Sequence, residues 1–159
     1  MSRAFVDESA SESREEGAPE LKIPLPPGAK NYVTPEGARR LRAELAELGA
    51  APLPRLREVE RRIEYLTRMA AIMEVVTPGE KPPERVMFGA AVTIREEGQG
   101  ERTWRIVGVE ESDPARGWVS WVSPLARAMM GKKPGDTVKV ALPAGESRLT
   151  IISIGYVSE

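Results

Sequence analysis

Neither cysteine nor histidine occurs anywhere in the 159 residues. Without cysteine there is no disulfide, no thiol nucleophile and no thiolate metal site. Without histidine the commonest general base and the commonest metal ligand are gone. No carboxylate pair or phosphate loop stands at a motif spacing to replace them; Asp113, Asp136 and the glutamates are scattered. The expectation is a protein that is not an enzyme, with no cofactor, no catalytic residue and no metal-binding residue. Long apolar runs are missing too. No stretch is long enough to span a bilayer, and the first residues lack the apolar core of a secretory leader. The expected setting is the cytoplasm, with no membrane partner. Charge of one sign is not in excess: 23 Lys and Arg against 24 Asp and Glu leave a net charge of -1. The chain as a whole is therefore no coat for nucleic acid, although local patches can still meet phosphates.

What remains is a globular balance, with 41% hydrophobic and 30% charged residues, enough chain for one ordinary domain or two small ones. Residues 1–30 read as an arm. Residues 7–16 are mostly Ser, Glu, Ala and Arg, and Ile23-Pro24-Leu25-Pro26-Pro27-Gly28 is extended at best. Such a tail is solvated unless residues 1–6 and 23–25 order against a partner.

A helical hairpin follows over residues 31–76. Thr34 can cap a helix, Pro35 suits its first position, and Glu36 sits at the positive end of the dipole. Ala38, Leu41, Leu45 and Leu48 then recur at the spacing of a coiled-coil seam. The run Gly49-Ala50-Ala51-Pro52-Leu53-Pro54 reverses the chain. A second helix is predicted from about Arg55 to Val75, with Leu56, Val59, Ile63, Leu66, Ala70 and Met73 as its seam. Two seams joined by a short turn predict an antiparallel pair. Arg39, Arg40, Arg42, Arg55, Arg57, Arg61 and Arg62 make the hairpin locally basic, but interleaved glutamates give it the look of ordinary coiled-coil surface. On periodicity alone, a structural spacer or a DNA-binding module stays open.

Residues 77–85 hold three prolines and a glycine and form a linker. Strands are predicted at 86–88, 91–95, 102–107, 118–122, 137–142 and 148–156, with turns at Gly98-Gln99-Gly100, Asp113-Pro114 and Pro143-Ala144-Gly145. In the last strand Leu149 and Ile151 lie on one phase, Ile152 and Ile154 on the other, so it is either covered on both faces or broken by a bulge. Among these strands sits one short helix with both ends marked. Ser123 can cap it, Pro124 suits its first turn, and Leu125, Ala128 and Met129 give an apolar side. Gly131 can end it in the left-handed conformation, and Pro134-Gly135 turns the chain. The fold class is α+β: an N-terminal helical hairpin, then a sheet with one helix over residues 86–159.

The run S-P-L-A-R-A-M-M-G-K-K-P-G-D, residues 123–136, resembles the C-terminal signature of bacterial Gre-type transcription elongation factors. The resemblance extends to residues 31–48, 55–76 and 86–156, and R-L-R-E-V-E-R-R-I-E-Y-L-T with the later M-F-G-A is similar to the GreB branch. It implies an FKBP-like antiparallel sheet without isomerase activity. It also implies a monomer that binds bacterial RNA polymerase core at the rim of the secondary channel, with nucleic acid met only through the polymerase. The docking region so implied contains Trp121, Val122, Ser123, Pro124, Leu125, Arg127 and Lys132. Val122 stands where the family often has Asp. Of the two tryptophans Trp118 and Trp121, one is expected in the core and the other exposed as an interface anchor.

In that family the hairpin tip carries acidic residues that help hold a second magnesium at the polymerase active site, which then cleaves the backed-up transcript. Here the coiled coil is shortened and the acidic tip is missing. Between Glu47 and Glu58 there is no carboxylate, and the tip is Pro52, Leu53, Pro54, Arg55 and Arg57. The expected function is a Gre-family factor that modulates elongation without stimulating cleavage, or a competitor of cleavage-competent relatives.

Overall fold

The computed structural model describes residues 23–157. The reading of residues 1–6 as a partner-ordered segment lies outside the described residues. Strand β1 (Asn31–Val33) opens the fold and helix α1 (Pro35–Gly49) follows. Thr34 caps α1 as expected: its backbone is extended and its hydroxyl accepts from the Gly37 amide at 3.0 Å. Helix α2 (Arg57–Ala71) returns antiparallel, with Glu58 and Glu60 in its first turn and Arg68 in its last, both suited to the helix dipole.

The second helix is shorter than its periodicity predicts. Met73–Val75 is a strand, β2, which pairs in parallel with β1, Asn31 opposite Met73 and Val33 opposite Val75. Helical and extended registers both place Met73 inward, so the seam alone cannot separate them. Leu56 is likewise a correction. It precedes the helix and is 71% exposed, so the seam starts at Val59. Residues 77–85 contain no helix or strand.

The larger sheet has five strands in the order β5-β4-β3-β7-β6. These are β3 (Ala91–Glu96), β4 (Gly100–Val107), β5 (Trp118–Ser120), β6 (Thr137–Leu142) and β7 (Gly145–Gly155). All pairings are antiparallel except β4 with β5, whose short edge runs parallel after a 3-10 turn at Pro114–Arg116. The predicted strand at residues 86–88 is not one. Val86 makes two backbone bonds across to Gly131 and Lys132, and the chain then turns at Met87 to Ala90. The phase change in the last strand is a bulge. Thr93 faces Ser153, the next residue Ile94 faces Ile151, and Ile152 is the extra residue.

One face of the sheet is apolar and the other is wet, as antiparallel sheets allow. Val92, Ile94, Ile106, Val138, Val140, Leu149 and Ile151 are buried against helix α3 (Pro124–Met129). The opposite face carries Thr93 beside Thr103 and Arg95 paired with Glu101. A second buried cluster joins the hairpin to the sheet: Leu41, Leu66 and Met69 from the helices meet Val109 and Val122. Leu25 packs on this cluster, so that part of the arm lies against its own chain. No helix among the described residues is long and apolar enough to cross a membrane.

Candidate functional site

The central helix is built as its sequence predicts. Ser123 is extended, its hydroxyl accepts from the Ala126 amide at 3.2 Å, and Pro124 opens the first turn. Ala126 and Met129 are the fully buried positions, while Leu125, Ala128 and Met130 pack more loosely on the same core. The chain leaves through Gly131 at φ 79°, where a side chain would be strained. Two backbone bonds of 2.8 Å, Val86 N–H to Lys132 O and Gly131 N–H to Val86 O, clamp the exit to the end of the linker. Asp136 closes the following turn by accepting from the Lys133 amide at 2.9 Å.

This geometry divides the implied docking residues. Val122 is only 2% exposed and belongs to the cluster beneath the hairpin. It does not offer an apolar contact to a partner; the aliphatic side chain suits the interior position in which it lies. Trp121 also packs inward, touching both cores, with its ring edge-on to Tyr32 at 5.2 Å. Trp118 is half-buried, and the guanidinium groups of Arg40, Arg105 and Arg116 lie 5.1 to 5.6 Å from its ring. Neither indole is a bare surface anchor. Ser123 spends its hydroxyl on the cap. Pro124, Arg127 and Lys132 remain exposed, with Leu125 half-exposed beside them.

At the far end, the hairpin tip turns apolar groups outward. Leu53 is 75% exposed, and Pro52 and Pro54 flank it in the open. The Leu53–Pro54 peptide is cis. Arg55 folds back, donating from Nη2 to the Gly49 carbonyl at 2.7 Å and from Nε to the Ala51 carbonyl at 3.3 Å. It thereby satisfies the orphan Gly49 carbonyl at the end of α1 and the Ala51 carbonyl in the turn beyond it. Arg57 is exposed. No group of three or more acidic side chains that could hold a metal ion occurs among the described residues.

Two residues that no sequence pattern marks set the hairpin on the sheet. Glu110 and Glu111 follow β4. Glu111 is buried, and its carboxylate accepts from the Thr34 amide at 3.1 Å, the Gly108 amide at 2.9 Å and the Thr34 hydroxyl. It sits where the α1 dipole favours an anion. Gly37 and Gly108 make room for it. A methyl group on Gly37 would collide with the carboxylate, and one on Gly108 would come within 2.7 Å of the Tyr32 carbonyl oxygen. A glycine in the first turn of an otherwise regular helix was the signal available in the sequence. Glu110 holds the other helix: it accepts from the Tyr65 hydroxyl at 2.6 Å and pairs with Arg62 at 3.5 Å. Arg62 also forks onto Glu44 of α1 at 2.8 and 3.1 Å. Burial, reinforced by the bond to Glu110, pushes the Tyr65 hydroxyl up to about 12.

Comparison with known proteins decides the family. A family model described as "Transcription elongation factor, GreA/GreB, C-term" matches residues 81–156. Transcription elongation factor GreB of Xanthomonas axonopodis pv. citri is 34% identical over 162 residues, covering 84% of this chain and 96% of that protein. The chain belongs to the GreA/GreB family of transcription elongation factors. GreB of Yersinia pestis is 40% identical over 102 residues, covering 64% of this chain but 60% of its own length. Among solved structures, the GreA/GreB factor of Nitrosomonas europaea is 26% identical and aligns with a TM-score of 0.42, over 80% of this chain and 99% of that one. Within the family, the central helix with its Ser123 cap lies inside the matched region, and the hairpin tip lies outside it.

Proposed function

We propose that this chain binds bacterial RNA polymerase core at the rim of its secondary channel and modulates elongation there without stimulating transcript cleavage. The observation that carries the reading is the tip. It presents Leu53 and Leu56 to solvent, and its arginine Arg55 is folded onto the helix end. There is no carboxylate between Glu47 and Glu58. Cleavage in this family needs acidic oxygens delivered beside the polymerase's own magnesium, because a hard cation takes oxygen ligands at ~2.0–2.1 Å. The residues present do not fit that ion. Reach is also limited, since α1 has 15 residues and a helix rises ~1.5 Å per residue, giving about 22 Å.

Membership of the family supports docking of residues 121–132 on the polymerase, now narrowed to the outward side chains Pro124, Arg127 and Lys132 with Leu125. A factor that docks but cannot assist cleavage competes with relatives that can. The test is binding of the full chain to immobilised core polymerase, followed by challenge with a cleavage-competent Gre factor. The expected result is saturable binding and mutual displacement. No binding, or binding that leaves the other factor in place, contradicts the reading.

A further inference from the structure

Residues 23–30 take a definite course across the molecule. Pro26-Pro27-Gly28-Ala29 is a tight turn: the Ala29 amide donates to the Pro26 carbonyl at 3.1 Å, and Gly28 has φ 78°. Proline in the second place and a left-handed glycine in the third make it a type II turn. The turn sends the residues before it back over the junction of hairpin and sheet. There Leu25 packs on the cluster to which the hairpin gives Leu41, Leu66 and Met69, and to which the sheet side gives Val109 and Val122. Ile23 and Pro24 line one groove with Arg62 and Tyr65 of α2 and with Val109 and Glu110 beyond β4. On the other side of the turn, Lys30 pairs with Glu74 of β2 at 3.2 Å, and the Asn31 amide donates to the Ile72 carbonyl at 2.9 Å. The arm is thus fixed to the hairpin at one end and reaches over to the sheet side at the other.

Glu110 and Glu111 already hold the hairpin to the sheet side through polar bonds to Tyr65, Arg62 and Thr34. Leu25 adds an apolar contact that touches both units at once. Such a contact stabilises their docked arrangement rather than either unit alone. Three prolines and the turn restrict the arm before it docks, so ordering it costs little. We infer that residues 23–28 act as a strap across the hairpin–sheet junction. The strap fixes the angle of the hairpin on the sheet, and the junction opens when the strap leaves it.

The experiment is amide hydrogen exchange on the full chain, read by NMR under native conditions. The Thr34 amide reports on the junction, because its acceptor, the Glu111 carboxylate, lies across it at 3.1 Å. Two amides serve as controls. That of Asn31 is bonded within the hairpin unit to Ile72, and that of Ile106 within the sheet unit to the Ala90 carbonyl at 3.0 Å. Leu25→Ser should speed exchange at Thr34 by about five- to tenfold, since a half-buried leucine loses about half of its burial contribution. Asn31 and Ile106 should stay within about twofold of wild type. Gly28→Ala tests the turn without touching the packing. A methyl group there meets nothing within 4 Å, but the left-handed backbone is strained, so Thr34 alone should speed by at least about twofold. Leu25→Met keeps an apolar side chain of similar size and should stay near wild type. If Leu25→Ser speeds all three amides together, Leu25 is an ordinary core residue and the strap is wrong. If Asn31 speeds as much as Thr34 while Ile106 holds, the chain merely frays from the arm inward and the strap is again wrong. If none of the three changes, the arm holds nothing, and the strap is overturned outright. No partner is present in the experiment, so each of these failures leaves the polymerase reading standing.

Discussion

Replacing Glu111 with Ala removes the group on which the hairpin is seated. The carboxylate accepts three hydrogen bonds from Thr34 and Gly108, and it is only 7% exposed. A hydrogen bond to a charged group contributes roughly 1.5–3 kcal/mol, and a buried donor left without a partner costs about 1–3 kcal/mol. These do not add in full, because water can enter the vacated space and the Thr34 hydroxyl can rotate. We therefore expect about 3–4 kcal/mol for Glu111→Ala. With a urea slope of about 1.5–2 kcal/mol per molar for a chain of this size, the unfolding midpoint should fall by about 2 M. A double-mutant cycle with Thr34→Ala should return a coupling of about 1–2 kcal/mol, because the two side chains share a bond. A Glu111→Ala cost under about 1 kcal/mol, or additive effects of the two changes, would refute the seat as described.

Three further outcomes follow from the same geometry. Arg55→Ala should cost about 1 kcal/mol in a thermal melt, because the Gly49 carbonyl at the end of α1 and the Ala51 carbonyl in the turn lose their donor while water remains available. Leu53→Ser and Leu56→Ser should each move stability by less than about 0.5 kcal/mol in urea, since both side chains already face solvent. Tyr65 gives a pH dependence. Its hydroxyl is raised from 10.0 to about 12 in the fold, so the stability it contributes is intact below pH 10 and is lost as pH climbs towards 12. Because the ring is half-exposed, the loss should be about 1 kcal/mol rather than the full linkage value, and Tyr65→Phe should abolish it in urea titrations across that range.

What the sequence makes legible here is local. Thr34 and Ser123 announce their caps because the hydroxyl and the amide it accepts from are three residues apart. The alternation of Val138 and Val140 places β6 without knowledge of its neighbour. Gly131 and Pro134-Gly135 likewise act within a few residues. The misses all depend on contacts between distant segments. β2 is drawn out of the helical register by pairing with β1, some 40 residues earlier. The candidate site suffered most from this. Val122 and Trp121 sit beside Ser123 in sequence, yet the hairpin covers them, and only the packing of Leu41, Leu66 and Met69 on that side decides it. Arg55 is basic at a tip, which suggests an outward role, but its guanidinium finds the carbonyls of Gly49 and Ala51. Glu110 and Glu111 stand among many glutamates and gain meaning only from Tyr65, Arg62 and Thr34.

The central claim is docking without cleavage, and a backtracked elongation complex with labelled transcript tests it most directly. The complex is incubated with magnesium, with and without saturating amounts of this chain, and the release of short 3′ fragments is followed in time. The account predicts no acceleration by this chain alone, together with slower release when it is added against a cleavage-competent Gre factor. Faster release by this chain alone, lost on replacing Glu47 or Glu58 at the edges of the tip, would contradict it.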